Sequence, residues 1–349
     1  MTKPRIAIAS VGGTITMMAN EAGSGGIVPS LNVDDLLDSV PSLKEIATLS
    51  ASTLATIPGA SLAHSDIFRA LAWCTAEIEA GADGAVLIQG TDTIEESAYL
   101  LDLHWGRPEP IVVTGAMRSP ATPGSDGPSN LLASVRVASA TDSRGHGVLV
   151  VLNDEIHTAM RVQKTRASGT NAFTSPGFGP IGYVEEGTVI YGNSPVRWPV
   201  LKGGPGDDTP RIVLLGTYLG DDASTLELVT KAGVDGIVVA GFGVGHLSAA
   251  MADALEKASE TCPIVFSSRT GSGTTFSKTY GFVGSESDLL ARGAIPSGWL
   301  DPRKARILLG SLIASGADRG RIRVEFDLRG GRPGGPTALE PSSNEQRRG

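Results

Sequence analysis

Short, mostly apolar runs alternate along the chain with stretches of helical period. The runs at 5–10, 85–89, 111–114 and 148–152 lack the apolar–polar alternation of a half-exposed strand and read as strands buried on both faces. Between them, 66–80, 94–103 and 130–140 repeat apolar positions every three to four residues and read as helices. Buried strands separated by amphipathic helices predict a largely parallel sheet with helices on both faces. The stretch 188–208 is rich in glycine and proline and has no steady period, which marks it as the best linker. The pattern then restarts, with strands at 211–215, 236–240 and 263–267 and helices at 223–232 and 247–260. Asp301-Pro302 opens another helix to about 315, and 321–328 reads as a last strand. The expectation is two α/β domains. The larger N-terminal one, 1–195, carries a mostly parallel sheet, a linker spans 196–210, and a smaller one covers 211–328. The polar, glycine-rich tail 329–349 has little to bury and is expected to be disordered.

Composition narrows the partners. The 349 residues carry 37 acidic and 29 basic side chains, a formal charge of −8, which argues against nucleic acid or an acidic membrane as the main partner. The two cysteines, Cys74 and Cys262, form no metal or redox motif and read as buried apolar thiols. The first apolar run is too short for a secretion signal, and none reaches the ~18 residues of a membrane span. These features predict a cytoplasmic protein acting on small molecules.

The candidate chemistry lies where strands end. The first strand runs into Val11-Gly12-Gly13-Thr14-Ile15, and the second into Gln89-Gly90-Thr91-Asp92-Thr93. Each sets a hydroxyl beside glycine backbone at a carboxyl end, the edge where open α/β sheets bind ligands. Glycine lets backbone N–H groups approach a developing oxyanion. A threonine hydroxyl needs a base to become a nucleophile, and Asp92 and a lysine are the sensible candidates. Thr93-Ile94-Glu95-Glu96 reads as a capping box, with Thr93 as N-cap and Glu96 answering it. A strand-end turn with a capping threonine also occurs without function, so the weight falls on two such sites in one sheet.

Other constellations are weaker. The chain has no Gly-x-Ser-x-Gly elbow, phosphate loop or His-Glu-x-x-His helix. Asp154-Glu155-Ile156-His157 reads as a solvated loop. Gly241-Phe242-Gly243-Val244-Gly245-His246 misses a dinucleotide loop because His246 stands where the last glycine belongs. His64 and His104 fall on or near helices.

Together these segments resemble the bacterial-type L-asparaginase/glutaminase family, over about 6–312. Besides the two threonine motifs, the resemblance is carried by Thr114-Gly115-Ala116-Met117-Arg118, Asp126-Gly127-Pro128 and Leu152-Asn153-Asp154. Val162-Gln163-Lys164-Thr165 and Ser267-Ser268-Arg269-Thr270-Gly271 add to it. It implies hydrolysis of L-asparagine through a threonine ester, with no metal or organic cofactor. Thr14 is implied as nucleophile, with the order of attack by Thr14 and Thr91 left open. Thr91, Asp92 and Lys164 are implied as a second hydroxyl–carboxylate–amine group. The Ala116 carbonyl would take the amide nitrogen, Asp92 the α-ammonium, and the Thr14 and Thr91 N–H groups the oxyanion, with Gly90 among the substrate-binding residues. The family assembles as homotetramers, dimers of dimers, whose sites the neighbouring chain completes.

Three departures bear on substrate grip. The lid segment 21–27 carries no tyrosine. The turn that grips the substrate's α-groups reads Gly59-Ala60-Ser61, with Ser61 as the matching serine. His246 stands at a family asparagine, and Tyr280 is the candidate to supply a phenol from the neighbour. The rival expectations are a relaxed ω-amidase acting on glutamine and an amino-acid sensor without turnover.

Overall fold

The computed structural model describes residues 2–13, 17–19, 27–29, 37–202 and 209–331. They form two compact units, Met1–Val200 and Leu201–Gly349.

The first unit is built on an eight-stranded sheet. Its strands are β1 (Arg5–Ser10), β4 (Thr48–Thr53), β5 (Gly84–Ile88), β6 (Ile111–Thr114), β7 (Val148–Leu152), β8 (Glu155–Thr158), β11 (Gly182–Glu185) and β12 (Thr188–Tyr191). Two small antiparallel pairs accompany it, β2 (Met17–Ala19) with β3 (Ile27–Pro29) and β9 (Gln163–Lys164) with β10 (Phe173–Thr174). The spatial order is β12-β11-β8-β7-β6-β5-β1-β4. Strands β4, β1, β5, β6 and β7 are parallel, whereas β8, β11 and β12 continue the sheet as antiparallel hairpins. Taken alone, the five parallel strands have the order 2-1-3-4-5. Chain direction across the sheet therefore reverses around β1, and the crevice of such a sheet opens between the carboxyl ends of β1 and β5.

The core explains the order. Ile6 and Ile8, Val86 and Ile88, Val112, and Leu149 and Val151 join Leu131, Val135 and Ala138 of the helix Gly127–Ser139 in one apolar layer. The helices His64–Glu79 and Ile94–His104 also pack on these strands. At about 25 cal/mol per Å² of apolar surface, strands covered on both faces gain most from burial, which is why the central runs are continuous.

The second unit has a four-stranded parallel sheet in chain order: β13 (Ile212–Gly216), β14 (Gly236–Gly241), β15 (Ile264–Ser268) and β16 (Ile295–Pro296). Ile237, Val239, Ile264 and Phe266 pack against the helices Ser224–Lys231, Ala249–Ser259 and Glu286–Ala291. The helix Pro302–Ala314 also packs on β13, β14 and β15. Among the described residues of either unit, no helix is long and apolar enough to cross a membrane.

Four local readings need correction. Residues 188–191 do not begin a linker but form β12, hairpinned to β11 through Glu186 and Gly187, both at positive φ (48° and 81°). Residues 154–157 are not a solvated loop. Asn153 and Asp154, at φ 54° and 60°, make the two-residue turn that matches strand twist, and Glu155–Thr158 pairs with β7. Residues 321–328 are not a strand but lie in the helix Arg319–Arg329, whose N-cap Asp318 accepts the Arg321 N–H at 2.7 Å. Arg321, Glu325 and Arg329 then form a charge ladder at helical spacing. Arg329 ends that helix buried, and the tail from 332 lies outside the described residues. Finally, Thr93 precedes the helix Ile94–His104 but makes no side-chain cap, because its hydroxyl donates to the Gly59 carbonyl at 3.0 Å.

Candidate active site

The parallel register aligns three strand ends: Ser10 on β1 opposes Ile88 on β5, which opposes Thr114 on β6. Beyond this row the chain turns on glycine. Gly12 and Gly13 sit at φ 106° and 107°, a region side chains rarely adopt. A Cβ on Gly13 would lie 2.1 Å from the Gly90 nitrogen, and one on Gly90 would lie 2.8 Å from the Gly59 Cα. Three segments thus touch backbone to backbone, and no other residue type fits between them. Gly115 is equally tight, since its Cβ would fall 2.5 Å from the Gln89 carbonyl oxygen.

This contact delivers Thr91 and Asp92 to the crevice at the β1/β5 switch. Thr91 is buried, while the Asp92 side chain stands at the rim, 58% exposed. The Lys164 amine reaches both, donating to Thr91 Oγ1 at 2.9 Å and to Asp92 Oδ1 at 3.0 Å. Lys164 arrives on β9, outside the main sheet, and its backbone N–H donates to Glu95 Oε2 at 3.0 Å. A hydroxyl within hydrogen-bond reach of an amine, itself paired with a carboxylate, is the geometry proton transfer requires.

The loop after β6 is held from behind. Asp126 accepts the Met117 and Arg118 N–H groups at 3.0 and 2.8 Å. The Asn130 amide donates to the Gly115 carbonyl and to Asp126, both at 3.0 Å, and its oxygen accepts the Asn153 N–H at 2.9 Å. These bonds fix the backbone on either side of the buried Ala116. The exposed Ala60 and Ser61 lie in the 3-10 turn Gly59–Ser61, which Thr93 ties to the Gly90 segment. Thr14 and the 21–26 part of the lid lie outside the described residues, and nothing is described of the Ile27 side chain.

His246 and Tyr280 meet each other in the second unit. The His246 ring lies edge-on to Tyr280 and Phe282, each 4.9 Å between centroids. Its Nε2 is 3.1 Å from Glu286 Oε2, while Glu286 Oε1 accepts the Thr279 and Tyr280 N–H groups at 2.7 Å. Burial pushes the Glu286 carboxyl up, but its hydrogen bonds from Tyr280, its own N–H, Thr279 and His246 outweigh that and hold it below the usual range.

The remaining groups lie away from this chemistry. His157 is buried, with Nδ1 2.9 Å from Ser175 Oγ. Burial pushes both cysteine thiols up. No group of metal-ligating side chains assembles among the described residues. Sequence reasoning did not single out Asn130 or Glu286, and Gln89 and Glu95 were quoted within motifs without a role. Asp126 was quoted for its motif without its role.

Backbone glycines and a threonine–lysine–aspartate group thus meet at the switch point of the first sheet. Comparison then gives the family. The asparaginase N-terminal domain matches residues 5–197, and the glutaminase/asparaginase C-terminal domain matches 211–326. The chain belongs to the asparaginase family. It is 34% identical over 333 residues to the probable periplasmic L-asparaginase of Haemophilus influenzae, covering 93% of each chain. It is 33% identical over 331 residues to L-asparaginase 2 of Escherichia coli, again covering 93% of each. The structure of a probable cytoplasmic L-asparaginase from Campylobacter jejuni superposes with a TM-score of 0.83 at 30% identity, covering 93% of this chain and 99% of that one.

Proposed function

We propose that the chain hydrolyses L-asparagine to L-aspartate and ammonia. The observation that carries the reading is the Lys164 amine within hydrogen-bond distance of Thr91 and Asp92 at the switch point of an asparaginase-family sheet. In this mechanism the Thr14 oxygen attacks the amide carbon and its proton passes to the amide nitrogen. The C–N bond breaks, ammonia leaves, and an ester to Thr14 remains. Water then attacks the ester, activated by the Thr91–Lys164 pair, and aspartate is released as Thr14 regains its proton. Asp92 takes the substrate's α-ammonium, with Ala60 and Ser61 beside it. The Ala116 carbonyl receives the amide N–H, and Gly90 and neighbouring N–H groups frame the oxyanion. The active form is a homotetramer, with His246 of the partner subunit and Tyr280 of the partner subunit completing each site. The compartment is the cytoplasm.

The test is ammonia release from L-asparagine, L-glutamine and their D-forms by wild type and Thr14→Ala. Wild type is expected to turn over L-asparagine fastest, and Thr14→Ala to lose about a thousandfold or more with its fold intact. A Thr14→Ala rate above about a tenth of wild type displaces Thr14 as nucleophile. Absence of ammonia from all of these amides at saturation removes turnover and leaves the sensor reading. Light scattering that finds an active monomer removes the shared site. A broader ω-amidase is the second reading. It is favoured by the turn Gly59–Ser61, in which Ser61 is the one side chain able to hydrogen-bond the substrate's α-groups.

A further inference from the structure

The helix Ile94–His104 begins two residues after Asp92, so its first turn lies against the proposed proton-transfer group. Glu95 in that turn is only 3% exposed, an uncommon setting for a carboxylate. Its Oε2 accepts the backbone N–H of Lys164 at 3.0 Å. At the other end of the same lysine, Nζ reaches Thr91 Oγ1 at 2.9 Å and Asp92 Oδ1 at 3.0 Å. Strand β9, which carries Lys164, is two residues long and pairs with β10 in a sheet of two strands. The main sheet therefore does not set the register of Lys164 against Thr91.

We propose that Glu95 is a positioning residue that sets this register, resting on the reading that Lys164 serves the reaction. A short helical segment supplies both halves of the alignment. Thr91 and Asp92 lead into it, and Glu95 grips the backbone of the residue that must meet them. An anionic acceptor makes a stronger hydrogen bond than a neutral one, and the first turn of a helix favours negative charge. Releasing the Lys164 N–H frees β9 to shift, and a displacement of about 1 Å in a reacting group costs on the order of a hundredfold in rate. Because Glu95 Oε2 holds the Lys164 backbone, its loss acts through the Lys164 amine, on turnover more than on binding.

The experiment is a double-mutant cycle on the full-length protein, reading kcat and KM for L-asparagine in Glu95→Ala, Glu95→Gln, Lys164→Met and Glu95→Ala/Lys164→Met. Glu95→Ala is expected to lower kcat about fiftyfold with KM within about threefold. Glu95→Gln, which keeps an acceptor oxygen, is expected to recover to within about fivefold of wild type. The double variant is expected to match Lys164→Met alone, because the two act as one unit. Should Glu95→Ala fold poorly, Glu95→Asp serves instead. It withdraws the oxygen by one methylene and is expected to lower kcat about tenfold at unchanged KM. Near-wild-type kcat in Lys164→Met overturns the role of Lys164 and the proposal with it. If Lys164→Met is inactive but Glu95→Ala or Glu95→Asp keeps wild-type kcat, the positioning role alone is overturned. Additive losses in the double variant also overturn it, since they mark general destabilisation.

Discussion

Each unit ends parallel strands in glycine-rich turns, and the turns after β1 and β5 are packed differently from the turn after β14. In the first, Gly13, Gly90 and Gly59 come from segments far apart in sequence and touch one another. In the second, Gly241 packs on Gly245 and His246 of its own loop, which Phe242 and His246 close by a bridge. The sheets differ in the same sense. The first reverses strand order at β1 and opens a crevice there, whereas the second runs in chain order without a reversal. The polar groups follow. Lys164 bridges a hydroxyl and a rim carboxylate, whereas Glu286 is spent on two backbone N–H groups and His246. Glycine-rich strand ends alone do not make a site; a site needs separate segments brought together with reactive groups left facing outward.

The sharpest way to break this comparison is Gly90→Ala. The new methyl would sit 2.8 Å from the Gly59 backbone, which has no side chain to swing aside. Loss of more than about a hundredfold in kcat/KM is expected, with a stability cost of about 3 kcal/mol. A fully active Gly90→Ala protein would show that the three-glycine contact is dispensable. Next comes Glu286→Gln, read by thermal unfolding against pH. The Glu286 carboxyl is held below its ordinary range, so its stabilisation is complete above the unfolded value of about 4.3 and fades as pH falls through the lower folded value. The variant should be less stable by about 2 kcal/mol at pH 7, and the two curves should draw together only as pH falls through the depressed folded value. Parallel curves would mean that the carboxylate charge is not what anchors 279–280.

A smaller effect is expected of Thr93→Val, which removes the hydrogen bond to the Gly59 carbonyl. One such bond is worth about 1 kcal/mol, so KM should rise about fivefold with kcat held. An unchanged KM would uncouple the Gly59–Ser61 turn from substrate grip. The smallest effect is expected of Gly243→Ala in the second unit. Gly243 sits at φ 50° with open space around its Cβ, so only the backbone term of about 1 kcal/mol applies. A drop in Tm comparable to that of Gly90→Ala would erase the contrast between the two loops.

The central strands and their helices were legible because burial on both faces writes itself as continuous apolar runs. The hairpins were not. Strands β8, β11 and β12 are four residues each, and the β7–β8 and β11–β12 turns use Asn153-Asp154 and Glu186-Gly187, easily taken for loop. The helix Arg319–Arg329 was mistaken for a strand because Ile322, Val324 and Phe326 alternate with polar residues. The Asp318 cap and the charge ladder at four-residue spacing outweigh that alternation. At the site, the glycines and Thr91-Asp92 announced themselves by composition, whereas Lys164 came only through family likeness. Glu95 was hidden by the capping-box reading, which drew notice to Thr93 and Glu96. Its signal was its place on an otherwise apolar helix face with Ile94, Ala98 and Tyr99.

The meeting of Gly13, Gly59, Gly90 and Lys164 also dictates when the site comes into being. None of these contacts is local, so each must wait for long loops to close and for β4, β1 and β5 to find their places. During refolding from denaturant, helix signals should return before any ammonia is released. Activity is then the last observable to recover, and it counts only chains in which the whole first sheet has been assembled.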